Sequence, residues 1–212
     1  MVGSIVSLVC SSGYAIALFA HRFLMVPPAL KNPERIQLWG RFTFLTVQSN
    51  LICYLFHSAR FIAPTHPWIT RLHPLTFALG VSLTSLYYGL DHFQPEKHEL
   101  DKKWIKRGYK FIPLANHLEH GHALPLALLD AICLPRAVPE TSDVIFFPVA
   151  YFTFYFFFVA LAGKHLKGQW VYPIFDELEA GIGPIGPYLL GGVVCAVYVG
   201  LAFLDQAFAG GV

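Results

Sequence analysis

Six apolar stretches of nearly membrane-crossing length constrain this chain more than any motif in it. They cover about residues 3–21, 42–62, 73–92, 112–134, 144–163 and 184–204. A helix rises ~1.5 Å per residue and a bilayer core is ~30 Å thick, so roughly 20 apolar residues cross it. Residues 144–163, VIFFPVAYFTFYFFFVALAG, carry no charge at all. Charged residues make up 13% of the chain, against roughly 25% in soluble domains. That is too few to coat a soluble surface of this size. The expected fold class is all-α: a polytopic membrane helix bundle of about six transmembrane helices, a single transmembrane domain over residues 1–212. The first stretch has no basic residue before it and Arg22 after it. A cleavable signal has the reverse order, so this stretch is expected to be a retained span.

The connections between stretches are short and polar. The most charged, 93–111, contains QPEKHELDKKWIKRGYK and reads as a solvated loop. It is too short for a soluble domain, so any chemistry lies within the bundle or at its mouths. Twelve of the fifteen Lys and Arg residues fall in the first, third and fifth connections. Six spans put those connections on one side, which the positive-inside rule makes cytoplasmic. The formal net charge of +2 gives no reason to expect nucleic acid. Cys10, Cys53, Cys133 and Cys195 all lie in apolar stretches without a CxxC spacing, as buried free thiols would. Gly191 and Gly192 suit close helix packing.

Ionisable residues inside a span are costly and default to a functional reading. The fourth stretch concentrates them: His117, Glu119, His120, His122 and Asp130. His117 and His120 share a helix face at spacing i, i+3, as do Asn116 and His120 at i, i+4. The second stretch offers a polar stripe of Thr46, Asn50, Cys53 and His57 at 4-3-4 spacing. Counted from the same side, Thr46 lies roughly 7 Å and His120 roughly 12 Å into their spans. The two are thus expected at similar depth, able to meet across packed helices.

A threonine hydroxyl becomes a nucleophile when a base takes its proton, and histidine titrates near working pH. The alternative for a membrane threonine is a bond to its own backbone carbonyl. Asn50, Tyr88 and Asn116 are candidate oxyanion donors by position. Arg41, Lys164 and His165 at the mouth are candidate partners for a lipid carboxylate, with Trp170 and Tyr172 as further substrate-binding candidates. His117, Glu119 and Asp130 are candidates to support His120. Neither HExxH nor HxxEH occurs, so no metal or other cofactor is expected. A metal-dependent lipid hydrolase or oxidase and a non-catalytic lipid-binding or transport protein remain as alternatives.

Three segments carry a resemblance. Trp39-Gly40-Arg41 precedes Phe44-Leu45-Thr46; Asn116-His117 is followed by His120, Leu124-Pro125 and Asp130; the fifth connection reads Gly168-Gln169-Trp170-Val171-Tyr172-Pro173. In order and spacing, over residues 39–204, these resemble the androgen-induced and androgen-dependent-TFPI-regulating protein family. Its members are multi-span membrane threonine hydrolases of fatty acid esters of hydroxy fatty acids. The resemblance implies Thr46 as nucleophile, His120 as base, a lipid ester as substrate and a place in the endoplasmic reticulum or another endomembrane. The chain departs from the pattern at His117-Leu118-Glu119, where relatives often have His-Gly, at the additional His122, and at Ser49, where some relatives carry an acid.

Overall fold

A computed structural model of the chain describes residues 2–19, 44–93, 95–106, 108, 111–134, 136–168 and 170–211. Every regular element among them is helical. In chain order these are α1 (Val2–Phe19), α2 (Leu45–Ile62), α3 (Pro67–Leu86), a π-helical turn (Tyr87–Asp91) and α4 (Pro95–Lys106). Then follow α5 (Ile112–His120), α6 (Ala123–Cys133), α7 (Thr141–Phe154), a second π-helical segment (Tyr155–Leu161), α8 (Ala162–Lys167), α9 (Pro173–Ile182) and α10 (Gly186–Gly211). Helix α3 is central: it packs on α2, α6, α7 and α10, while α1 closes the α2, α5 and α6 side. The core between them holds Tyr14, Cys53, Leu79, Leu83, Ala123 and Tyr198.

Among the described residues two continuous helical stretches are long and apolar enough to cross a membrane, Thr141–Lys167 and Gly186–Gly210; Gly3–Phe19 is a shorter apolar helix. The second expected span is less apolar because α2 carries Gln48, Asn50, His57 and Arg60. The fourth, expected as one helix over 112–134, is divided into α5 and α6 at Gly121-His122. The physical cause is an inserted side chain. The Thr84 hydroxyl of α3 donates to the His120 carbonyl and accepts from the Leu124 N–H at 3.0 Å, so it stands between the two ends of one i→i+4 bond. The charged segment expected as a loop is also helical, as α4, which its run of Glu, Lys and Leu favours. All four cysteines are free thiols; Cys10 and Cys53 are buried, but Cys133 is exposed. Residues 20–43, with Arg41 and the whole of the first connection, lie outside the described residues, as does Gln169.

Close approach of α3 to α6 depends on Gly80. A Cβ there would stand 2.9 Å from Ala127 Cβ and from Tyr14 Oη, and 3.2 Å from the Ala123 carbonyl. Backbone on one side and a methyl on the other leave nothing free to yield. Gly80→Ala is expected to cost roughly 1–3 kcal/mol, read as a lower melting temperature in detergent.

Opposite the start of α2, the bundle is fastened by charge. Arg60 Nη1 donates to both Asp130 oxygens, at 2.7 and 2.9 Å. His73 bridges two carboxylates, bonding Asp130 through Nε2 and Asp205 through Nδ1 at 2.8 Å. Arg136 completes the run with 2.5 Å to Asp205 Oδ1. Every member except Arg136 is fully buried, and together they tie α2, α3, α6 and α10. Asp130 therefore belongs to this cluster and does not support His120, one correction to the sequence reading. Its position ten residues beyond His120 also puts it roughly 15 Å further along the helices.

Candidate active site

Thr46 is the second residue of α2, entered through Phe44 in an extended conformation. Its Oγ1 lies 3.2 Å from His120 Nε2. His120 Nδ1 lies 2.9 Å from the Asn116 carbonyl one turn earlier on α5. A carbonyl only accepts, so Nδ1 holds the ring proton. Nε2 is then the acceptor and the Thr46 hydroxyl donates to it. The tautomer is set by the backbone of the helix that carries the histidine. Tyr87 fixes the ring plane, stacking on His120 at 4.1 Å between centres and 13° between planes. The π-helical turn at the end of α3 presents Tyr87 there, and such turns recur at functional sites.

The start of α2 supplies donors. Leu45 N–H donates to Tyr172 Oη at 3.0 Å. Val47 and Gln48 N–H return to the Phe44 carbonyl at 3.1 and 3.3 Å. Among the described residues the Thr46 N–H has no acceptor, as first-turn N–H groups often do not. The positive end of the helix dipole falls on the same atoms.

The remaining candidates sort by contact. Asn50 donates Nδ2 to the Glu119 carbonyl at 3.1 Å, so it is not an available oxyanion donor. Tyr88 is likewise engaged, with its hydroxyl 2.7 Å from His117 Nδ1. Asn116 is buried and its Nδ2 has no partner, which leaves it as a donor beside His120. Glu119 is buried on α5. His117 is exposed beside Tyr88 and His92, three residues before His120. Lys164 does not stand open at the mouth for a carboxylate. Its Nζ lies 2.7 Å from Glu179 and 3.5 Å from Asp176, both on α9. Trp170 Nε1 donates to the same Glu179 oxygen at 3.0 Å, so Trp170 anchors α9. His165 is exposed on α8. Tyr87 and Thr84 were missed from sequence; neither type stands out in an apolar stretch.

Lys164 and the Trp170 N–H hold the Glu179 carboxyl below its ordinary value of 4.5. A lowered folded value means the clasp is complete above that pH and is lost as pH falls through the folded value. Tryptophan fluorescence of the native protein is expected to change on acidification below the ordinary carboxylate range, and that transition is expected to vanish in Glu179→Gln.

Among the described residues, one group of three metal-ligand side chains has its ligand atoms within 4.8 Å of one another: Cys10, His57 and Asp130. Arg60 and His73 already occupy three of the lone-pair positions of Asp130. A cation there would face a guanidinium, so the residues fit a metal poorly. The histidines of α5 form no such group with Glu119 among the described residues.

The sequence pattern of the FAR-17a/AIG1-like protein family matches residues 5–206. The chain belongs to that family. It is the androgen-induced family that the threonine and histidine segments resemble. No curated protein and no solved structure matches the chain. Membership, with two apolar helices of membrane-crossing length, marks this FAR-17a/AIG1-like protein as a membrane protein.

Proposed function

We propose that this FAR-17a/AIG1-like protein is a multi-pass membrane hydrolase of lipid esters with Thr46 as nucleophile and His120 as general base. The observation that carries the reading is the Thr46 Oγ1 to His120 Nε2 contact of 3.2 Å, with Nδ1 committed to the Asn116 carbonyl. His120 takes the hydroxyl proton as Oγ1 attacks the ester carbon. Negative charge on the carbonyl oxygen is met by the Thr46 N–H, the helix dipole and Asn116 Nδ2. Collapse expels the alcohol, which receives the proton from His120, and leaves an acyl ester on Thr46. Water then releases the acid by the reverse proton path. Fatty acid esters of hydroxy fatty acids are the substrate class, on the strength of the family resemblance.

The setting belongs to the same proposal. Six spans cross an endomembrane, such as that of the endoplasmic reticulum, with the basic connections cytoplasmic. Surrounding membrane lipids are the only other partners the reading requires. A fluorophosphonate probe tests it: labelling of the wild type that is lost in both Thr46→Ala and His120→Ala is the expected result. A wild type that binds lipid but never labels overturns the enzyme and leaves a lipid-binding or transport protein.

A further inference from the structure

Three side chains between the two polar centres keep buried polar atoms that the protein does not satisfy. They are Asn50 Oδ1, His57 Nδ1 and both ring nitrogens of His122. Asn50 is 1% exposed and His57 2%. The Leu118 carbonyl one turn earlier acts on the His122 ring but makes no hydrogen bond of good geometry with it. Leaving such groups unmet is costly, so a run of them calls for something that supplies the missing bonds.

The groups follow one line. Asn50 and His57 continue the α2 stripe that begins at Thr46, roughly 6 Å and 16 Å further along the axis. Tyr14 of α1 closes the gap between α2 and the α5–α6 break. Its ring stacks on His57 at 5.6 Å and meets His122 edge-on at 5.1 Å. His122 sits in that break, two residues from His120. The line therefore runs from the Arg60–Asp130 end to the reacting pair.

The chemistry of the unmet atoms selects their ligand. Asn50 Oδ1 only accepts, so an anion is repelled. A lipid chain makes no hydrogen bonds. Each neutral imidazole needs both a donor and an acceptor, and water provides both. We infer that a file of buried water molecules lines this face of α2 from His57 past His122 to Asn50. Its last member, held by Asn50 Oδ1 one turn from Thr46, is the water that releases the acyl product.

The role in release rests on the acyl-enzyme reading above. The water oxygen bonds to the acyl carbon as one of its protons passes to His120 Nε2, while Asn50 Oδ1 accepts the other hydrogen. The carbon–Oγ1 bond then breaks, and Oγ1 takes the proton back from His120. The products are the free carboxylic acid and the Thr46 hydroxyl. A source on the inner face keeps water available while acyl chains fill the mouth.

Two measurements test this. In Asn50→Leu and His122→Phe, fluorophosphonate labelling of Thr46 is expected to stay near the wild-type rate. Turnover is expected to fall about 10- to 100-fold, with an acyl adduct visible by intact mass. Parallel loss of labelling and turnover, or unchanged turnover in both variants, overturns the role in release. A wild type that never labels overturns the hydrolase reading itself and leaves the file to the second measurement. Radiolytic footprinting in nanodiscs needs no activity. Oxidation at Tyr14, Cys53 and His57, all shielded from the surface, is expected; their protection overturns the file.

Discussion

Asp130→Ala is expected to destabilise the bundle by roughly 3–5 kcal/mol, because it leaves Arg60 and His73 buried without their counter-charge. A typical net stability is only ~5–15 kcal/mol, so much of this variant is expected unfolded or aggregated on extraction. Asp130 accepts from a side chain of α2 and one of α3 while standing on α6, and His73 extends the tie to α10 through Asp205. Size-exclusion profiles after a temperature series measure the effect. Replacing Arg60 and Asp130 together by apolar residues is expected to cost less than Asp130→Ala alone, since the stranded charge is gone. If the double variant is as unstable as the single one, packing at Asp130 and not charge is what matters.

His120→Ala is expected to lower turnover by about 10²–10⁴-fold with folding intact, and Thr46→Ala to remove covalent labelling altogether. Neither side chain is deeply buried, and neither takes part in the charged cluster. Melting temperatures are therefore expected to stay close to wild type, which separates these variants from Asp130→Ala. Thr46→Ser retains a hydroxyl in the same position and is expected to keep measurable activity. Full activity in His120→Ala would remove it as the base. The Nδ1 partner is a backbone carbonyl, which no substitution removes, so the tautomer survives changes to the Asn116 side chain. Asn116→Ala thus reports only on the buried Nδ2, and a drop in turnover without a drop in probe binding would fit an oxyanion donor.

Much of the helical layout was legible because apolar runs and polar stripes are local signals. Thr46, Asn50, Cys53 and His57 lie at helical spacing, and the structure puts them on one helix, α2. Similar depth made the Thr46–His120 contact possible and the family resemblance selected that pair; the structure puts Oγ1 and Nε2 3.2 Å apart. The break in the fourth span was not legible, because its cause is Thr84, 36 residues upstream of His120. The charged cluster left a signal that went unread. Arg60 interrupts an apolar stretch and Asp205 closes another, yet their link through His73 and Asp130 depends on packing, not spacing. Lys164 was misjudged for a similar reason: its partner Glu179 sits fifteen residues on, on a helix that no apolar pattern announced. Segment 96–110 carries helix-forming residues without apolar periodicity, so α4 had no stripe to reveal it.

The Thr84 hydroxyl has a mechanical consequence. Without it, α5 and α6 would be one rigid rod joining His120 to Asp130, and any tilt of it would pull on the charged cluster. With the rod cut between them, α5 and α6 are joined through two hydrogen bonds to the Thr84 hydroxyl, one from each side of the break, while α6 stays moored through Asp130. The protein thereby has a keel at one end, the charged cluster that holds its helices together, and at the other a short helix, α5, whose seating against α2 sets the distance between Thr46 and His120.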